Sequence, residues 1–372
     1  MNAQNLNQEP VVRKNSKRKI KVEFDRSPLK DRLKAKFLSL FFLKKVVWVV
    51  FRLVLLIGIA YVVLFPFFSK ITSSVMAKED FVDVTVRLIP KHFSLDIYKT
   101  VFVEQEYMKA FGTTFALSLI TAIIQTFICC LIGYGLAKFK FKGNKFVFLA
   151  VIFSLIIPHQ TLQLSLYQNF RFFDIFGIFS FFNGNGIELF GKSFLTGIDI
   201  IPDSILPAGA KGFDLTNSFW PMVIMSLSGL AFKNGLYIFM LRQFFTGVPD
   251  ELEESAYIDG SGIMRTFFTI ILPISVPMMI TVFLFSFSWQ WTDDFYVSLF
   301  IPAGFTKGMV LMPDIIGIPE SMQDTNFAGQ NLYEVAIRNT CGLMIIAPLI
   351  VMYLFCQRYL IQGIERTGLT AD

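Results

Sequence analysis

Residues 186–193 read GIELFGKS and satisfy the phosphate-loop pattern G-x-x-x-x-G-K-[ST]. A working loop of this kind lies between a buried strand and a helix, and its small residues let backbone N–H groups close on phosphate oxygens. Here the central positions are Ile187, Glu188, Leu189 and Phe190, which are bulky and in one case acidic. No buried strand is expected before them, and no second acidic strand end is at hand for magnesium. The match is therefore read as a coincidence of spacing. The other reactive residue types lead no further. Only two histidines occur, His92 and His159, and the four cysteines Cys129, Cys130, Cys341 and Cys356 lie in apolar runs without metal-ligand spacing. No Ser/His/Asp set, carboxylate pair or metal box can be assembled. The chain is assigned no catalytic residue, no metal and no bound cofactor.

The elements that would carry any function are dictated by composition. Of 372 residues 54% are apolar, 44 are Phe and 17% are charged, proportions that soluble domains seldom show. The apolar residues gather into stretches of about 20, the length that crosses a hydrocarbon core of roughly 30 Å. Six spans are read: 46–68, 110–137, 146–166, 219–241, 267–288 and 341–360. All are expected to be helical, because backbone groups in lipid must pair within their own segment. The fold class is thus an all-α polytopic membrane protein with six transmembrane helices. The first span follows a basic region too long for a cleavable signal peptide and stays as an anchor.

Charge sets the expected orientation. Residues 1–45 hold thirteen Lys and Arg against Glu9, Glu23, Asp25 and Asp31, which keeps that segment cytoplasmic. Alternation then puts KFKFKGNK (138–145), the 242–266 loop and the C-terminus inside, with 69–109, 167–218 and 289–340 outside. The net charge of +6 is read as a topology signal and not as a nucleic-acid surface, since stacking aromatics do not interleave the basic tail. Within the tail, Leu29, Leu33, Phe37, Leu40 and Phe41 recur at helical spacing between basic residues. They read either as an interfacial helix on anionic lipid or as a disordered basic lead-in to the first span.

Between the fourth and fifth spans the chain reads VPDELEESAYIDGSGIMRTFFTIILPISVPMM, residues 248–279. Pro249 suits a first helical turn, and Asp250, Glu251, Glu253 and Glu254 favour the positive end of that helix. Asp259-Gly260 stops it, and a second helix starts near Gly262. A short helix, a glycine bend and a membrane-entering helix are predicted.

This stretch resembles the signature loop of permease subunits of binding-protein-dependent ABC importers, Glu-Ala-Ala, three residues, Gly, nine residues, Ile-x-Leu-Pro. It runs here as Glu254, Ser255, Ala256, then Gly260, then Ile270, Leu272 and Pro273, with Ser for the first Ala as the sole departure. The likeness extends from about Val46 to the C-terminus. FGTTFALSLI, GYGLAKFKFKGNK, LIIPHQ, FSWQWTDDFYVSLF and QRYLIQGI place it near the bacterial carbohydrate branch, to which the second permease of the maltose transporter belongs. A long external insertion, 172–217, departs from that branch and contains the false phosphate loop. The resemblance implies a maltose-type fold over 46–372, a second permease chain as partner, an ABC ATPase dimer that holds ATP and Mg, and an extracellular solute-binding protein. It also implies that the 248–273 loop docks on the ATPase. Glu254 would meet a basic residue there, Ala256 would permit close approach, Asp259 and Gly260 would make the bend, and a side chain at Gly260 would obstruct the turn. The tail QRYLIQGI resembles one that reaches the ATPase interface, but it ends in a different sequence, ERTGLTAD.

Candidate solute-pathway residues are Lys233 and Asn234, a charged and polar pair deep in the fourth span, where such groups face a cavity or another helix. Gln125, Gln160 and Gln163 are further candidates, each also suited to bonding between helices. Trp289 and Trp291 could stack on a sugar ring or belong to an interfacial aromatic belt. Three readings are weighed: an ABC-importer permease for a sugar, or for another small solute such as a polyamine or peptide; a stand-alone secondary transporter; and a non-transporting scaffold. The second needs inverted repeats or coupling carboxylates, and neither is found. The signature loop argues against the third.

Overall fold

The computed structural model describes residues 40–175, 178, 187–189, 192–195, 212–301, 308–323 and 327–368. The basic segment 1–39, most of the 172–217 insertion and the last four residues lie outside them. Helices are numbered α1 (Leu40–Ser74), α2 (Asp96–Glu104), α3 (Tyr107–Lys138), α4 (Asn144–Ile156), α5 (Gln163–Arg171), α6 (Trp220–Ser228), α7 (Asn234–Thr246), α8 (Glu251–Ile258), α9 (Ile263–Trp291), α10 (Phe295–Phe300), α11 (Glu320–Gln323) and α12 (Gln330–Gly368).

The chain divides into two compact units at Phe67 and Phe68. In the first, the described residues continue one helix whose Val, Leu, Ile and Phe side chains are exposed on every side. A helix that is apolar all round needs a non-aqueous surround.

The second unit is organised on α3, against which α6, α7 and α9 pack, with α12 on α9 and α4 on α7. Small polar residues sit in these contacts: Ser118, Thr121, Ser226, Ser275, Thr281 and Ser286 are all buried. Small side chains let helices approach closely, and their hydroxyls can bond back to the helix, as Thr121 Oγ1 donates to Leu117 O at 2.8 Å. Cys129, Cys130 and Cys341 are buried free thiols, and among the described residues no three His, Cys, Asp or Glu side chains group to hold a metal.

By length and composition four helices can cross a membrane: Lys44–Ser74, Tyr107–Lys138, Ile263–Trp291 and Gln330–Ile361. The two remaining expected spans are interrupted. The third is a bent pair, Asn144–Ile156 and His159–Arg171, turned by 97°. Pro158 causes the bend, since it has no N–H to donate and drives Ile157 into extended backbone at φ −70° and ψ 119°. The fourth, expected to run unbroken over 219–241, is two helices. α6 ends at Gly229 in the left-handed region at φ 75°, and α7 begins after Lys233, also left-handed at φ 65°. The apolar run Leu230–Ala231–Phe232 hid this break, because hydropathy carries no information on dihedrals. Helix predominates as expected, and within the insertion Ile187–Leu189 and Lys192–Leu195 pair as a short antiparallel hairpin, β1 and β2. Lys192 and Ser193 of the phosphate-loop pattern therefore lie in a strand and not at a helix N-terminus.

Candidate functional site

The 248–273 loop forms at one end of the helical unit. Acids occupy the first turn of α8 at Glu251, Glu253 and Glu254, where they complement the positive end of the helix dipole. The helix closes on a Schellman motif. Ser261 N donates to Ala256 O at 2.9 Å and Gly260 N to Tyr257 O at 3.0 Å, with Gly260 left-handed at φ +80°. A Cβ on Gly260 would meet nothing within 4 Å. The expectation that a side chain there would obstruct the turn is therefore corrected: glycine is suited to the position by its backbone angle, not by crowding. α9 starts after Gly262, passes through a π-helical turn at Phe267–Ile271 and regains α geometry from Leu272. Pro273 lies just past the wide turn, where the wider spacing accommodates a residue that cannot donate. Ile270 is half-buried and Ile271 is buried in the same cluster as Tyr134, Phe245 and Phe267.

Two kinds of contact hold α8 to the body. Ala256 and Glu253 are its buried residues, and Glu253 faces the Tyr134 hydroxyl near the end of α3. Lys138, the last residue of α3, has a buried side chain that donates to Val248 O at 2.6 Å and to Asp250 Oδ1 at 2.5 Å. The hydrogen bond from Lys138 holds the Asp250 carboxyl below its ordinary value. Glu254, Ser255 and Asp259 are exposed, and next to them Ile258 is 86% exposed, with Ile263 and Met264 also open.

The second candidate region lies where the two broken segments meet. α4 and α7 each have 13 residues, a rise of about 20 Å; α4 starts from the end that carries the loop, and α7 runs back to that end. The last turn of α4 and the first turn of α7 meet at a cavity of about 210 Å³ lined by Ser154–Gln160, Gly229–Lys233 and Gly235. Gly235 allows this approach, since a Cβ there would lie 2.5 Å from Ser154 Oγ and 3.0 Å from Val151 O. The Lys233 ammonium lies over the rings of Phe232 and Trp289 at 4.7 and 5.0 Å from their centroids. His159 Nδ1 and the Tyr296 hydroxyl are 2.7 Å apart, and the His159 ring meets Phe232 edge-on at 4.8 Å. Just beyond α9, Asp293 accepts from Tyr296 N at 3.2 Å, and burial pushes its carboxyl up to about 6.

The other pathway candidates separate. Gln125 is buried and ties three helices, donating to Ser226 Oγ at 3.1 Å and accepting from Ser286 Oγ at 2.7 Å. Asn234 is buried beside Cys129, whose thiol reaches its carbonyl at 3.8 Å. Gln160 lines the cavity, whereas Gln163 is exposed on α5. Trp289 is 46% exposed, but Trp291 is fully buried and donates from Nε1 to Ile345 O at 2.9 Å. Trp291 thus belongs neither to an aromatic belt nor to a stacking surface; its indole N–H found a partner between helices.

No family model matches the chain. Among curated proteins, the arabinooligosaccharides transport system permease protein AraQ of Halalkalibacterium halodurans is 23% identical over 313 residues, covering 83% of this chain and 92% of the relative. The polygalacturonan/rhamnogalacturonan transport system permease protein YtcP of Bacillus subtilis is 23% identical over 312 residues, with 83% and 93% covered. In fold, the chain is similar to one from the crystal structure of a bacterial ABC transporter involved in the import of the acidic polysaccharide alginate, with TM-score 0.60 at 17% identity, covering 85% of this chain and 97% of that one. The chain is a homologue of ABC transporter permeases.

Sequence reasoning on the permease missed three residues. Lys138 counted only as one positive charge among four, yet it tethers the loop helix. Its place as the last residue of α3, where a cation also suits the helix dipole, was the available signal. Glu253 counts in the sequence only as one of the first-turn acids; the i, i+3 spacing from Glu253 to buried Ala256 marks the inward face of α8. His159 was set aside as unremarkable, although Pro158 before it was the sign of a bend that would bring it to a cavity.

Proposed function

We propose that this chain is one of two permease subunits of an ATP-driven importer, that it forms half of the pathway for a sugar or oligosaccharide, and that its 248–273 loop couples the pathway to a separate ATPase. The carrying observation is the loop itself: a short helix held to the body by its buried face and by Lys138, closed on a Schellman bend, with Ile258, Ile263 and Met264 left open beside the exposed acid Glu254. An apolar tip with an adjacent carboxylate suits a cleft that offers an apolar floor and a basic residue. Saccharide as the cargo class is supported by the relatives, which belong to arabinooligosaccharide and polygalacturonan/rhamnogalacturonan transport systems.

On this reading ATP and Mg belong to the ATPase dimer, and an extracellular binding protein delivers the solute. Both termini of the chain are cytoplasmic, and the basic tail meets lipid headgroups. ATP-driven closure of the partner moves α8, and α9 carries that motion into the helical unit because the two are joined by one four-residue bend, Asp259–Gly262. A partner that drives a near-complete switch between two pathway states must favour one of them by about 5.5 kcal/mol. The test is uptake by the reconstituted complex. Glu254→Ala and Gly260→Val are expected to abolish transport with membrane insertion intact, and normal transport by both variants would refute the coupling role.

A further inference from the structure

Lys233 is the observation that the coupling reading does not use. It sits in the break between α6 and α7, about 20 Å along α7 from the loop end, a depth within the apolar thickness of a bilayer. Irregular backbone at such depth is tolerated where it lines a cavity or is buried in protein. Here two breaks, at Pro158 and at Gly229–Lys233, open onto one cavity of about 210 Å³. That volume far exceeds the roughly 10–15 Å³ that admits a water. Among the described residues Lys233 makes no ion pair; its ammonium is parked on the faces of Phe232 and Trp289. A cation–π contact gives about 0.5–2 kcal/mol, less than a hydrogen-bonded ion pair in a poorly hydrated site. An arriving anion would therefore draw the ammonium off the rings and uncover the half-exposed indole of Trp289. His159, which also lines the cavity, is held by Tyr296 at 2.7 Å.

We propose that Lys233 is a specificity-determining residue for a carboxylate-bearing saccharide, its ammonium pairing with the carboxylate of a uronic acid unit while Trp289 stacks on the sugar ring. The inference rests on the permease reading and adds an acidic class to the saccharide. Asn234, next in sequence, is buried away from the cavity and takes no part.

The experiment uses the complex purified with its own partner subunits in nanodiscs of neutral lipid, with intrinsic fluorescence titrated by trigalacturonate, by its methyl ester and by inorganic phosphate. Trigalacturonate is expected to bind about tenfold or more tighter than the ester, the ratio that a charged hydrogen bond supports. Lys233→Gln should bring that ratio to about one, Lys233→Arg should keep most of it, and Trp289→Phe should remove the signal. Equal binding of acid and ester by the unaltered complex, or an unchanged ratio in Lys233→Gln, overturns the proposal. Displacement of trigalacturonate by equimolar phosphate would overturn the saccharide assignment, and dissociation of the Lys233→Gln complex would make the lysine an interface charge instead. ATP hydrolysis by the same complex reads the permease function separately, so an active complex indifferent to the acid sinks only this inference.

Discussion

Gly260 allows the bend in the loop to be tested without touching any contact. Its φ of +80° lies where an L-residue suffers a clash within its own backbone, while the space around a new Cβ is open. Gly260→Ala should therefore cost the left-handed penalty alone, about 1–2 kcal/mol, and Gly260→Asn clearly less, because Asn tolerates this region. Gly260→Val should exceed both, since β-branching disfavours the region most. A cost of 1–2 kcal/mol raises the population of the opened loop about 5–30-fold. Hydrogen exchange at the Gly260 and Ser261 amides, which close the Schellman motif on Tyr257 and Ala256, reads that population directly in the nanodisc complex. Exchange should rise in the order Gly, Asn, Ala, Val. If Asn protects no better than Val, or if Ala exchanges like wild type, the left-handed bend is not what holds the loop.

Other perturbations have equally definite outcomes. Lys138→Met removes a charged donor with a buried side chain from Val248 O and Asp250; the carbonyl bond should account for most of a loss of about 1–2 kcal/mol, since Asp250 is largely exposed and screened, and exchange across 250–258 should rise while α3 stays protected. Gln125→Leu leaves the buried Ser286 hydroxyl without its acceptor and should lower stability by about 1–3 kcal/mol, whereas the double variant with Ser286→Ala should recover much of it by a thermal-melt cycle. Asp293, raised from 3.8 to about 6 by burial, keeps in the folded state a proton that the unfolded chain releases. Its contribution to stability should therefore fall as pH rises from about 4 to about 6 and then level off, and Asp293→Asn should flatten the melting temperature over that window.

Much of the loop was legible in the sequence because it is local. Acids at the start of a helix, Asp-Gly at its end and a Leu-Pro pair are punctuation whose meaning does not depend on distant residues, and α8, its bend and α9 follow from them. Four membrane-length helices were legible for a similar reason, as apolar length is sufficient. The breaks at Pro158 and at Gly229–Lys233 were not, since both lie inside apolar runs where hydropathy is blind to backbone angles; only the Pro and the Gly themselves signalled them. Long-range partners were the least legible. Gln125 could be recognised as polar within a span, but its bonds to Ser226 and Ser286, over a hundred residues away in sequence, arise from packing alone, as does the burial of Trp291 while Trp289 stays open.

What covers the exposed tip of α8 decides the coupling role. Ile258, at 86% exposure, is the place to ask, with Cys356 replaced by Ser so that the remaining native thiols, Cys129, Cys130 and Cys341, are all buried. Ile258→Cys in membranes containing the whole complex should cross-link through a short bismaleimide to a separate ATPase chain, with a yield that changes when ATP is added. An Ile258→Cys thiol that forms no such adduct and is instead labelled by a membrane-impermeant maleimide from outside intact cells would contradict the account.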